Sequence, residues 1–149
     1  MKLQKGTSLA LYSTLEFAAN PGRSVSAAEI AAKYGVSIHH LSKVLADLAR
    51  AGLLDSARGV GGGYRFSANA KRVTLMDVIE LFEPIGEPPG EAPHNEVEAA
   101  FSEVLSEIDE TARATFRSIT IETMLKLIER RRRGGEETAS RPALEMEGK

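Results

Sequence analysis

The chain has 149 residues, of which 42% are apolar, and its net charge is −2 at neutral pH. This length is enough for one packed core with an appended helix. Cysteine is absent, which excludes disulfides, thiolate nucleophiles, cysteine zinc fingers and cysteine-ligated iron–sulfur clusters. Because the chain shows neither a signal-peptide pattern nor an apolar run of about 18 residues, we expect a soluble, cytoplasmic protein.

The charge is distributed unevenly along the chain. Residues 1–82 contain ten Lys or Arg against six Asp or Glu, a net charge of +4, whereas residues 83–149 contain nine against fifteen, a net charge of −6. The local field, rather than the total charge, decides whether a nucleic acid is attracted. The basic half is therefore compatible with DNA binding.

Two helices are predicted in the first part of the chain. The first is capped by Thr7 or Ser8 and runs to about Ala19, where an Asn-Pro-Gly sequence ends it. The second opens at Ser26 and Glu29, which have the spacing of a capping box. A glycine turn then leads into a third helix, as in a helix-turn-helix.

The third predicted helix begins after Ser37, a plausible N-cap, and ends at Gly52, where a left-handed residue is expected. One face of it is apolar and consists of Val36, Leu41, Val44, Leu45 and Leu48. Residues near the start of such a helix meet base edges in a major groove. The positions that we predict to contact DNA here are Ser37, Ile38, His39, His40, Ser42 and Lys43. The alternative is an ordinary amphipathic helix whose outer face is solvated.

A glycine-rich hairpin is predicted next, with strands at residues 53–57 and 64–67. Arginines in such a wing can bind phosphate, and glycines let its backbone approach DNA closely. The predicted contact positions are Arg58, Gly59, Gly61, Gly62 and Arg65. The alternative is a surface hairpin that is rich in glycine. A nucleotide-binding G-x-G-x-x-G loop fits poorly, because Tyr64 occupies its sixth position.

A second capping box, Thr74 with Asp77, opens a short helix that packs on the core. Its apolar face is predicted to contain Leu75, Val78, Ile79 and Phe82. Residues 1–83 thus form the predicted winged helix-turn-helix domain, and the four prolines and two glycines of residues 84–95 form a boundary loop. His94 stands alone in this loop, where a solvated side chain is more usual than a ligand.

Residues 96–133 are predicted to hold a long helix and a final helix that Thr120 caps. The long helix carries an apolar stripe at Val97, Phe101, Val104, Ile108 and Ala112. A stripe with so little core to pack on is typical of an oligomer seam, and a twofold dimer is the usual arrangement. Residues 134–149 are predicted to be a disordered tail.

Several strings in the first 85 residues resemble the Rrf2 family of bacterial transcription regulators. They are G-V-S-x-x-x-L-x-K-V-L in the third helix, S-A-R-G-V-G-G-G-Y-R-F in the wing and V-T-L-M-D-V-I-E-L-F-E in the short helix. The H-L-S-K string at residues 40–43 is similar to the nitric-oxide-sensitive repressor branch of that family.

The resemblance implies a mainly α fold with a small β-wing, a dimer formed by the long helix, and a palindromic operator. By position it also implies DNA contacts at residues 38–43 and at Arg58. Several members hold an iron–sulfur cluster on three cysteines in the loop before the long helix, and the loop here has none. Ser8 stands where one branch supplies an aspartate ligand. We therefore expect no cofactor and no native cluster.

The leading hypothesis is a homodimeric DNA-binding regulator, a repressor, with no enzymatic activity. The alternative is an interaction module that acts through an enzyme or another protein partner. The operator, the regulated genes and the inducing signal are not encoded in any pattern of this sequence.

Overall fold

Six helices and one two-stranded sheet are present in the residues that the computed structural model describes, 2–59, 62–85 and 92–139. In chain order the elements are α1 (Lys5–Ala19), α2 (Ala27–Tyr34), α3 (Ile38–Arg50), β1 (Leu54–Ala57), β2 (Gly63–Phe66), α4 (Leu75–Ile79), α5 (Glu96–Ser118) and α6 (Ile121–Ala139). The predicted class, mainly α with a small β-wing, is confirmed.

The core lies where α1, α2 and α3 meet. The predicted inner face of α3 is buried at Leu41, Val44, Leu45 and Leu48, whereas Val36 is only partly buried. Full burial of such a side chain contributes about 1.5–3 kcal/mol, so this one face fixes the orientation of α3. The opposite face is left for other contacts.

The predicted caps of α2, α3 and α4 are confirmed. Ser26 and Glu29 exchange both capping-box hydrogen bonds, as do Thr74 and Asp77. The Ser37 hydroxyl accepts a hydrogen bond from the backbone N–H of His40 at 3.1 Å. These bonds satisfy amides that the first turn of a helix would otherwise leave unpaired.

The predicted start of α1 is wrong by a few residues. The helix begins at Lys5, and its N-cap, Gln4, makes no side-chain capping bond. Thr7 cannot cap the helix because its side chain is fully buried inside the first turns. The first turn of α1 is packed against the core, and this packing, rather than capping by Thr7 or Ser8, decides where the helix begins.

The wing is an antiparallel pair in which Leu54 lies opposite Phe66 and Asp55 opposite Arg65. A residue outside the predicted strands fixes the base of the wing, because Val25 and Tyr64 of β2 exchange two backbone hydrogen bonds, each of 2.9 Å. The wing is thereby attached to the segment that leads into α2. Its position relative to α3 is set by backbone contacts as well as by packing.

The short helix α4 joins the last two helices to the core. Leu75 donates its N–H to the carbonyl of Ile119, and Ile121 donates to Val73, both at 2.9 Å. Ile121 and Met76 are almost completely buried. The sequence places Ile121 on one apolar face of the final helix, with Met124, Leu125 and Ile128, but does not assign it to the core. Phe82 lies beyond the end of α4 but packs on the core as predicted.

The long helix α5 contacts the rest of the chain through its C-terminal part. None of its residues is buried, and Arg113 donates to the carbonyl of Ile85 at 2.6 Å. Arg113 and Arg117 also form ion pairs with Glu80, at 3.4 and 3.3 Å. Among the described residues, nothing covers the large apolar side chains of the N-terminal part of α5.

The last helix, α6, ends at Ala139, beyond the end that the sequence predicted in the arginine run at residues 130–133. Glu, Lys and Arg are good helix formers, and the Glu122–Lys126 and Glu129–Arg133 pairs stabilise α6 by about 0.2–0.5 kcal/mol each. This reduces the cost of Gly134 and Gly135, which is about 1 kcal/mol for each. The rest of the predicted tail, residues 140–149, lies outside the described residues, as do residues 86–91 of the predicted loop. No helix in the described part of the chain is long and apolar enough to cross a membrane.

Candidate nucleic-acid interface

The first turns of α3 present the outward-facing residues that the sequence predicted. Ile38 is 55% exposed despite being apolar, and His39 and Lys43 are exposed as well. Ser42 is partly exposed, while Ser37 is exposed and occupied in capping. A helix start with this mixture of apolar, donor and cationic groups can meet base edges by direct contact.

His40 differs from its neighbours because it is turned partly inward. Its Nε2 atom is buried and has no hydrogen-bond partner among the described residues. An unsatisfied buried polar atom costs about 1–3 kcal/mol, so this ring is held by its packing rather than by a bond. Only part of the His40 ring is left for a contact outside the chain.

Three cations on α3 and the wing lack a side chain of opposite charge as a partner among the described residues. Within the described part of the chain, the side chains of Lys43, Arg58 and Arg65 form no ion pair or hydrogen bond, although Arg65 lies opposite Asp55 in the sheet. By contrast, Arg50 at the far end of α3 pairs with Asp47 at 2.8 Å. Three exposed, uncompensated cations on consecutive elements produce a positive surface that suits phosphate.

At two positions in the wing, the backbone conformation or its close neighbours leave room only for glycine. Gly59 has φ +106°, a conformation that side-chain-bearing residues rarely adopt. A Cβ at Gly62 would lie 2.7 Å from the carbonyl oxygen of Ala57. The predicted contact position Gly61 lies outside the described residues. The Gly62 N–H donates a hydrogen bond to the Gly59 carbonyl at 2.9 Å, so these two glycines lie at the turn between the two arginines.

Gly63 is a wing residue that the predicted site omitted. A Cβ at this position would overlap the carbonyl group of Val25, at the bridge that attaches the wing to the chain before α2. Only a glycine can occupy this place without moving the bridge. The sequence shows the glycine, but not the segment that approaches it.

A polar cluster between α1 and α2 was also missed. The Glu16 carboxylate accepts hydrogen bonds from the Tyr34 hydroxyl and the Lys33 ammonium, each at 2.5 Å. The Tyr34 ring stacks on Tyr12, with a centroid distance of 5.3 Å. These contacts hold α2 against α1 and so help to set the position of α3. They join residues far apart in sequence, which no local pattern could reveal.

The pKa values of this cluster are shifted in opposite directions. Partial burial acts to raise the pKa of Glu16, but the hydrogen bonds from Lys33 and Tyr34, with the charges of Lys33 and Arg132, lower it overall. Burial and the adjacent Glu16 carboxylate raise the pKa of Tyr34. At neutral pH, Glu16 is therefore ionised and Tyr34 keeps its proton.

The apolar stripe of α5 is exposed along its length. Its large side chains are 54–67% exposed, and they are Val97, Phe101, Val104, Leu105 and Ile108. Leu105 was not in the predicted stripe, and the predicted member Ala112 is partly covered. So continuous an apolar surface is typical of a site that another surface covers.

The described residues contain no group of three or more His, Asp or Glu side chains that could hold a metal ion. The sequence contributes no cysteine. The nearest polar pair to the loop before α5 is His94 with Glu98, whose Nδ1 and Oε2 atoms are 3.2 Å apart. Two such groups do not make a site for an iron–sulfur cluster, which requires about four ligands, most often thiolates.

Comparison with known proteins gives a consistent result. The family described as "Rrf2: Iron-dependent Transcriptional regulator" matches residues 3–127. BadM of Rhodopseudomonas palustris, a predicted HTH-type transcriptional regulator, is 53% identical over 135 residues, covering 89% of this chain and 86% of that protein.

Two solved structures share the fold. CymR (YrzC), the global cysteine regulator of B. subtilis, is 29% identical with a TM-score of 0.73, over 85% of this chain and 98% of CymR. IscR of T. potens is 26% identical with a TM-score of 0.59, over 85% of this chain and 87% of that one. The resemblance seen in the sequence is thus confirmed, and the chain belongs to the Rrf2 family of transcriptional regulators.

Proposed function

We propose that the protein is a repressor that binds a palindromic operator as a homodimer and carries no iron–sulfur cluster. The observation that supports DNA binding most directly is the set of uncompensated cations, Lys43, Arg58 and Arg65, on α3 and the adjoining wing. As a regulator of bacterial genes it acts in the cytoplasm, and we propose no catalytic role for it.

The two elements have different roles in this proposal. Residues 37–43 of α3 enter a major groove, where Lys43 reaches guanine or phosphate and His39 reaches a base edge. The contribution of His40 is reduced, because its Nε2 atom is buried. Arg58 and Arg65 of the wing bind phosphates or a minor groove. The glycines between them allow the backbone to approach DNA.

The proposed dimer forms through residues 96–133. The supporting observation is the exposed stripe of α5, which repeats by fours and threes as in a coiled-coil seam. A twofold dimer places two copies of α3 one or more helical turns apart on DNA, which explains why a palindromic operator is expected.

We propose the absence of an iron–sulfur cluster because of the ligand types in this chain, and not because of how the family is described. Although the family is described as iron-dependent, this chain lacks thiolates, and the described residues hold no alternative group of ligands. Stoichiometric iron and sulfide in anaerobically purified protein would refute this part of the proposal.

DNA binding is tested by fluorescence anisotropy with genomic fragments, beginning with the region upstream of the protein's own gene. Affinity should fall steeply with salt, with a log–log slope of roughly −0.9 for each phosphate contact. A Lys43→Ala variant should change the preference between sequences. Binding that ignores salt, or that prefers no fragment, contradicts the proposal. Deletion of the gene should raise expression from the preferred promoter if the protein is a repressor.

A second candidate function is docking of a protein partner on α5. The stripe is flanked by acidic residues, and residues 83–112 contain nine acidic and no basic residues. Such a surface suits a basic partner as well as a second copy. Deleting residues 96–133 would not be a clean test, because Ile121 is buried in the core. A Phe101→Glu variant tests partner capture without removing a core residue.

A further inference from the structure

The C-terminal end of α1 and the helix α6 form the two sides of a groove. Its volume is about 690 Å³, and it is open to solvent. Its apolar lining comprises Ala18, Ala19 and Pro21 on the α1 side and Leu125 and Ile128 on α6. Sites for small molecules have volumes of about 300–1,000 Å³ and mostly apolar walls, so this groove has a suitable size and lining.

The net charge of the groove lining is positive, because two of its cations are neutralised by glutamates and two arginines are not. Lys126 and Arg133 line it, but each is paired at 3.1 Å with a glutamate one helical turn earlier. Arg130 and Arg132 also line it, and neither has an ion pair within the part of the chain that the structure describes. Arg132 has only the more distant attraction of Glu16.

We propose that this groove binds a small amphiphilic anion, a carboxylate with an alkyl or aryl body. The carboxylate is attracted by Arg130 and Arg132, and the apolar body packs on Leu125, Ile128 and the end of α1. Guanidinium groups form the stronger, charge-assisted hydrogen bonds with carboxylates. Neither the dimer stripe nor the wing takes part in this site.

The apolar walls favour this ligand over a DNA backbone. A phosphodiester chain would satisfy the arginines, but it would leave the apolar wall formed by Leu125, Ile128 and the end of α1 uncovered. An amphiphilic anion would contact both the apolar wall and the arginines of the groove. Arg132, which lines the groove, acts electrostatically on Glu16. Glu16 holds α2 against α1, so the ligand would lie close to the helix-turn-helix.

The test is isothermal titration calorimetry of the full chain with butanoate, hexanoate, octanoate and the neutral octanamide. We expect saturable binding of one octanoate per chain. Affinity should rise about two- to fourfold for each added methylene, because the alkyl chain is partly buried. Octanamide should bind about tenfold more weakly, because it lacks the charge.

Variants locate the site. Arg130→Gln and Arg132→Gln together should weaken octanoate binding by about tenfold or more. Arg131→Gln is the matched control for each single variant: it removes one positive charge from the same run, but Arg131 does not line the groove. Since these side chains are exposed, the variants should unfold at the same temperature as the parent protein.

Three results would overturn the proposal. They are the absence of saturable binding at millimolar octanoate, equal binding of octanamide and octanoate, and equal losses in Arg131→Gln and the double variant. Weaker DNA binding by the double variant, with octanoate binding unchanged, would assign the arginines to nucleic acid instead. The calorimetry measures octanoate binding in the absence of DNA. Its outcome therefore does not depend on whether the protein binds an operator.

Discussion

Replacing Phe101 with alanine should separate the proposed dimer without unfolding the chain. Phe101 is 67% exposed and is not part of the hydrophobic core. Burying a whole phenylalanine contributes about 1.5–3 kcal/mol, so its exposed two-thirds correspond to about 1–2 kcal/mol. In a twofold dimer this contact occurs twice, so the loss is about 2–4 kcal/mol. The dissociation constant of the dimer should therefore rise about 30- to 1,000-fold.

Analytical ultracentrifugation over a concentration series measures this change. Glu103→Ala is the matched control, because residue 103 is on the same helix but outside the apolar stripe. Thermal unfolding of dilute protein should be similar for both variants, since neither side chain is buried. If Phe101→Ala associates as tightly as the parent chain, the stripe is not the seam, and the reasoning from its exposure fails.

Three further predictions concern the wing and the α1–α2 cluster. Arg58→Ala should weaken binding to most DNA sequences and reduce the salt slope by about 0.9, as anisotropy would show. Gly63→Ala should lower the free energy of unfolding in urea by about 1–3 kcal/mol, because the new methyl overlaps the Val25 carbonyl. Glu16→Gln should destabilise the protein at neutral pH, and this difference should disappear as the pH falls below 4.5. The reason is that the pKa of Glu16 is lowered in the fold, so its contribution exists above the unfolded pKa and is lost as the carboxylate takes up a proton.

Each of these predictions has a control of the same chemistry. Arg131→Ala removes a distant positive charge and should leave the salt slope unchanged. Gly6→Ala adds a methyl where no atom lies within 4 Å, so it should not destabilise the chain. Glu103→Gln removes an exposed carboxylate whose side chain has no hydrogen bond or ion pair among the described residues. A Gly63→Ala variant as stable as the parent would mean that the wing can move away from Val25.

The local features of the helix-turn-helix could be predicted because short-range physics determines them. The capping boxes at Ser26 and Thr74 join residues three apart, and the inner face of α3 follows a helical repeat. The positive φ values of Gly52 and Gly59 also follow from local turn chemistry. These features needed no knowledge of distant segments.

Most of the missed features depend on segments that are far apart in sequence. Ile121 is buried because a bridge between residues 74 and 120 brings the start of α6 to the core. The inward turn of His40 could not be foreseen, since its helical position looks exposed. The extension of α6 to Ala139 was missed because two glycines and the polar residues after them suggested disorder.

The sequence alone determined the order of the elements, the caps, the apolar faces and the lack of thiolates, because each is a property of residue type and short spacing. The tertiary structure decided which cations are left without a partner, which glycine the Val25 bridge requires, and that α6 lies beside α1 to form a groove. Those properties depend on which segments meet, and long-range packing determines this only when the whole core is assembled.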